Sequence, residues 1–133
     1  MDLVVEAYGF ASRLPKTELY GLSSQLRRAA ISVPSNIAEG YGRHQLGQYL
    51  HHLSIARGSI MELETQTLIA VRLGLCQPGD ESALLGAVRD VGRMLTQLMR
   101  SLERYRPKRS AGRSACGANG GPARDRPASM PSA

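Results

Sequence analysis

Apolar residues recur along this chain at helical spacing. Leu3, Ala7, Phe10 and Leu14 are separated by 4, 3 and 4 positions, one face of a helix that Pro15 should end. Leu22, Leu26, Ala29, Val33 and Ile37 continue the rhythm in a second helix, expected to start near Thr17 and to stop around Gly40–Gly42. Glu18 favours its positive end. A third helix is predicted from about Gln45 to Leu73 through Leu46, Leu50, Leu53, Ala56, Ile60 and Leu63, with Gly74 as its cap and CQPGDES as the turn. A fourth, from about Asp80 to Tyr105, carries Leu84, Val88, Val91, Leu95, Leu98, Leu102 and Tyr105 in a sustained 4, 3 repeat. No two-residue alternation stands out. The expected fold is all-α: an antiparallel up-down bundle of four helices over residues 1–105.

Composition changes the picture at the C-terminal end. Residues 106–133 are Gly, Pro, Ser, Ala and Arg, with Met130 the single large apolar residue. Such a segment cannot bury enough surface to offset its ordering entropy, so a disordered tail is expected. Charge divides at the same place. Residues 1–105 hold 11 basic and 10 acidic residues, whereas 106–133 hold 6 and 1. The net +6 therefore belongs mostly to the tail, and the bundle itself is nearly neutral. Aromatics are only 5%, with no Trp, which suits a Leu- and Ala-rich bundle better than a β-sandwich. The two cysteines, Cys76 and Cys116, have no metal or redox spacing. The N-terminus lacks the form of a signal peptide, and no apolar run approaches the length of a membrane span. A cytoplasmic protein with no membrane partner is expected.

The stretch ISVPSNIAEGYGRHQ, residues 31–45, breaks the pattern. Pro34 sits inside the second helix, removes a backbone donor and crowds the carbonyl of Ala30, at a cost of roughly 3 kcal/mol in an ordinary helix interior. The apolar phase survives it, so one bent helix is expected. On the opposite face Arg28, Ser32, Ser35 and Glu39 are again spaced 4, 3, 4. Small serines in such a stripe let another helix approach closely. Arg43, at i+4, can pair with Glu39. The stripe reads either as a solvated face or as a contact seam.

Two blocks, LYGLSSQLRRAAISVPSNIAEGYGR and YLHHLSIARGSIMELETQTLIAVRLG, closely resemble the four-helix-bundle family whose founding members are encoded in ribosomal-RNA intervening sequences. The accessory variability determinant of diversity-generating retroelements is a relative. The resemblance covers about residues 3–104. It implies a homopentamer with a central channel and no catalytic activity, hence no cofactor. Its retroelement branch implies binding to a reverse transcriptase and to RNA or DNA. Matching positions are Arg27, Arg28, Pro34, Asn36, Glu39 and Gly40 in the second helix, and Gly58, Ser59, Glu62 and Glu64 in the third. With Ser32 and Ser35, the second-helix set becomes a candidate subunit interface or structural motif. Against the family the first helix is short, so either that end of the bundle is underpacked or the frame begins upstream.

Arg89, Arg93, Arg100 and Arg104 fall within roughly 60° of one another on the fourth helix, opposite its apolar seam. Together with Arg27 and Arg28 they are the candidate phosphate contacts. The competing reading is a solvated face screened by Asp90 and Glu103. His44, His51 and His52 lack acid or Cys companions at ligand spacing, so no metal site is expected. GYGRHQLG lacks the spacing of a phosphate loop. Tyr20, Tyr41 and Tyr49 either stack on bases or close the bundle ends. The function expected is a non-enzymatic, homo-oligomeric scaffold for nucleic acid or a nucleic-acid enzyme. The alternative is a protein–protein adaptor with no nucleic-acid role.

Overall fold

A computed structural model describes residues 2–18 and 20–105; the tail expected at 106–133 lies outside the described residues. Four helices follow one another: α1 (Asp2–Arg13), α2 (Leu22–Tyr41), α3 (Leu46–Arg72) and α4 (Ser82–Glu103). Among the described residues there is no strand. Short turns force neighbours to run antiparallel. α1 touches α2 and α4, and α3 touches α2 and α4, while neither diagonal pair meets. This is the expected square, up-down bundle. The most extensive contact is between α2 and α3.

Each helix buries the face that its spacing marks. Phe10, Leu26, Leu53, Leu63, Leu84 and Val88 are fully enclosed at the centre. Thr67 joins them because its hydroxyl donates to the Leu63 carbonyl at 2.7 Å, so no polar atom of it is left unpaired. α2 starts later than the sequence led us to expect. Lys16–Glu18 form a single 3-10 turn, and the Glu18 carboxylate accepts the Leu22 N–H at 3.3 Å. The cap therefore comes from upstream, and Gly21 sits outside the helical region between cap and helix.

α3 ends as Gly74 predicts. Gly74 adopts φ +69°, its N–H donates to the Val71 carbonyl, and the Leu75 N–H reaches back to Ala70, both at 3.0 Å. This pair of bonds satisfies two end carbonyls and turns the chain into the α3–α4 loop. α2 runs unbroken through Pro34, one element as expected.

The heptad of α4 is only partly enclosed. Leu84, Val88 and Leu95 are buried, Val91, Leu98 and Leu102 are half-buried, and Tyr105 is 78% exposed beyond the helix end. Helix length explains this. α1 has 12 residues against 20 in α2 and 22 in α4, so it falls short of α4 by about 15 Å. Where α1 gives out, a groove of about 400 Å³ opens, lined by Leu3, Val33, Ile37, Tyr41, Val91 and Met94. This groove lies at the end of the bundle that the short α1 leaves uncovered.

Candidate nucleic-acid interface and helix seam

The residues singled out in α2 separate into two sets. Ser32, Asn36 and Gly40, one turn apart, face α3. Ser59 donates its hydroxyl to Ser32 Oγ at 2.8 Å. The Asn36 amide nitrogen donates to the Ser32 carbonyl at 2.8 Å and to Ser32 Oγ at 3.0 Å. That fixes the amide orientation and turns Asn36 Oδ1 toward His52 Nδ1, 3.1 Å away. Since Oδ1 only accepts, an N–H on His52 Nδ1 would donate to it. Gly40 is buried against the same helix: a β-carbon there would lie 2.8 Å from His52 Cβ and 3.0 Å from Tyr49 Cδ1. The absent side chain lets the two backbones approach. This network of Ser59, Ser32, Asn36 and His52 is a seam inside the bundle.

Arg28, Ser35 and Glu39 point away from it and are exposed. Glu39 pairs with Arg43 at 2.6 Å, the i+4 partner that the sequence suggests. Arg28 donates to Ser24 Oγ at 3.1 Å. Pro34 borders the groove beside α1. Within the bundle, the spacing of Arg28, Ser32, Ser35 and Glu39 thus does not mark one continuous contact face with α3. The seam that touches α3 is rotated from it by about one position. Asn36 and Gly40 carried the signal for it, each four residues beyond Ser32 or the other.

Among the candidate phosphate ligands, Arg27 is half-buried with its guanidinium 5.7 Å from the centre of the Tyr8 ring, a cation–π contact that ties α2 to α1. Arg89, Arg93, Arg100 and Arg104 are all exposed along α4. Arg93 pairs with Asp90 at 3.0 Å. Because α2 and α4 lie across the diagonal, Arg27 and Arg28 do not join the α4 row in one patch of a single subunit. Tyr20 and Tyr41 are exposed, and Tyr41 meets Tyr49 edge to face with ring centres 6.0 Å apart at the bundle end. Among the described residues no three His, Cys, Asp or Glu gather as metal ligands. None of the described helices is long and apolar enough to cross a membrane.

The family model for the 23S rRNA-intervening sequence protein matches residues 1–97, which span α1, α2, α3 and most of α4. The chain belongs to this family. No match was found among curated proteins. Family membership and the bundle agree: the matched span ends inside α4, ahead of the C-terminal stretch whose composition sets it apart.

Proposed function

We propose that this family member is a non-enzymatic scaffold that assembles with copies of itself, a pentamer by its resemblance. In this reading it binds RNA or DNA and, alongside it, a nucleic-acid enzyme such as a reverse transcriptase. The observation that carries the reading is the exposed arginine row of α4, in which Arg89, Arg100 and Arg104 form no ion pair with an acidic side chain in the geometry described for residues 2–105. Like charges on one helix face repel by a few tenths of a kcal/mol per pair. A polyanion held along them turns that repulsion into binding. In an assembly the rows of several subunits would add, and the field with them.

The test is RNA and DNA binding by the full chain and by residues 1–105 across a salt series. Log affinity should fall linearly with log salt for both, and Arg89→Glu with Arg100→Glu should flatten the slope by about one unit for each phosphate contact removed. If only the full chain binds, the charge of residues 106–133 accounts for binding. The adaptor reading then stands, favoured by the near-neutral bundle and its open apolar groove.

A further inference from the structure

α2 and α4 run in the same direction across the diagonal of the bundle, so both finish at the same end of the molecule. Each finishes on a tyrosine that stands in solvent: Tyr41 is 77% exposed and Tyr105 78%. α3 begins at this end, and its Tyr49 is half-buried against the core. Tyr49 meets the Tyr41 ring edge to face, with 6.0 Å between centres and 76° between planes. Tyr41 is thus braced by a ring that the core itself holds, which narrows its rotamers while leaving it in water.

Charge makes this end unlike the other. Arg104 adjoins Tyr105, Arg100 lies about 7.5 Å below Tyr105 along the helix axis, and both arginines are exposed. Arg43 and His44 follow Tyr41 in the exposed turn into α3. Glu39 and Glu103 are the acids described here, and Glu39 is held by Arg43 at 2.6 Å. The acids of α1 do not reach this far. The first turn of α1 stops beside Val91 and Met94, and Met94 is about 16 Å short of Tyr105 along α4. At the opposite end Tyr20 is 93% exposed, but there Glu18, Asp80 and Glu81 offset Arg13, Lys16 and Arg72. Exposed rings occur at both ends, whereas exposed rings among cations occur at one.

Cationic side chains grip phosphates, and aromatic rings stack on any free base face. In a duplex the base faces are already stacked on one another, so unpaired nucleotides are what offer both contacts. We propose that this end of the bundle is a platform for single-stranded nucleic acid, with Tyr41 and Tyr105 stacking on bases and Arg100 and Arg104 holding nearby phosphates. Tyr49 is a positioning residue for Tyr41. This rests on the nucleic-acid binding proposed above and names its substrate class, unpaired strand rather than duplex. The span suits it. Neighbouring helices pack about 8–10 Å apart, so diagonal ones lie about 11–14 Å apart. A strand advances about 3.4 Å per stacked nucleotide, so about four nucleotides cover both rings. Arg93 and Arg89 continue the track along α4 for the phosphates that follow.

The test uses the full chain at fixed salt. Fluorescence anisotropy follows its binding to labelled oligothymidine, to oligouridine, and to a DNA duplex with the same number of phosphates. The single strands should bind more tightly than the duplex. Tyr41→Ala and Tyr105→Ala should each weaken single-strand binding about tenfold, the lower part of the range for losing one base–ring stack, and leave duplex binding unchanged. Tyr41→Phe and Tyr105→Phe keep the ring and should bind like the parent. Tyr20→Ala, at the opposite end, should change nothing. Tyr105 lies beyond the last turn of α4, so its removal leaves the core intact, and circular dichroism checks the fold of both alanine variants. If both alanine variants hold the single strands as tightly as the parent, or the duplex binds as tightly as the strands, the platform is overturned. Binding that then still depends on Arg89 and Arg100 leaves the phosphate-contact reading standing. Failure to bind all three nucleic acids sinks both.

Discussion

Gly40→Ala tests whether α2 and α3 meet as closely as described. The added β-carbon would stand 2.8 Å from His52 Cβ, 3.0 Å from Tyr49 Cδ1 and 3.2 Å from the Tyr49 carbonyl oxygen. Comfortable carbon contacts begin near about 3.5 Å. Two of the obstacles, a β-carbon and a backbone oxygen, cannot swing away by changing rotamer, so the helices themselves must part. Such overpacking costs about 1–3 kcal/mol. Alanine returns at most about 1 kcal/mol of helix propensity, and less here because Gly40 lies next to the helix end. Parting the helices also stretches the 3.1 Å bond between His52 and Asn36. The net expectation is a loss of about 1–2 kcal/mol, or a fall in Tm of about 5–15 °C for a domain of this size. Gly86→Ala is the matched control: this exposed glycine of α4 has nothing within 4 Å of its would-be β-carbon, so alanine should stabilise by about 0.5–1 kcal/mol. Both are read by thermal and urea unfolding followed by circular dichroism at low protein concentration. If Gly40→Ala is as stable as the parent, or gains as much as Gly86→Ala, the close approach is refuted.

Leu53→Ala removes a side chain that is completely enclosed and should cost about 2–5 kcal/mol in urea unfolding; a loss under 1 kcal/mol would mean the core is looser than described. Asn36→Ala removes the partner of His52 Nδ1 and one of the two donors to Ser32 Oγ, and should cost about 1–3 kcal/mol, whereas a neutral result would show that water replaces the amide without penalty. The Cys76 thiol is pushed above its ordinary pKa by burial first, and then by the Glu81 and Asp80 carboxylates. In a Cys116→Ser background, alkylation of Cys76 by iodoacetamide should therefore have a pH midpoint above that of a free-cysteine peptide, and an equal midpoint would contradict this. Above the ordinary thiol pKa the unfolded chain ionises first, so the parent loses stability as pH rises through that window, and Cys76→Ser should lose less.

The bundle was legible because each helix repeats its apolar residues at a period the core enforces, and because Pro15, Gly74 and the CQPGDES turn punctuate it. What escaped the sequence depended on distances between helices. Glu18 caps α2 from outside the helix, so the apolar spacing could not reveal that Thr17 lies in a 3-10 turn. Ser35 and Glu39 shared a spacing with Ser32 yet face solvent, since helix α3 crosses α2 along Ser32, Asn36 and Gly40 instead. The outward apolar residues of α3 were hidden by the strength of its inner pattern. Leu53, Ala56, Ile60 and Leu63 account for a helix fully, and Met61 and Leu68 add nothing to that identification. The exposure of the α4 arginines was readable from their phase, but their separation from Arg27 and Arg28 required knowing which helices touch.

The seam between α2 and α3 also acts as a ruler. Two long helices lined with Leu, Ala and Ile have little preference among alignments that differ by seven residues, because one apolar contact replaces another. The rungs remove that indifference. A slip of seven would set Val33 where Gly40 now admits His52 and Tyr49, and would take Ser59 from Ser32 and His52 from Asn36. A few bonds of modest strength thereby separate one alignment from its nearest competitors, and chains that collapse quickly around the wrong one retain a reason to let go.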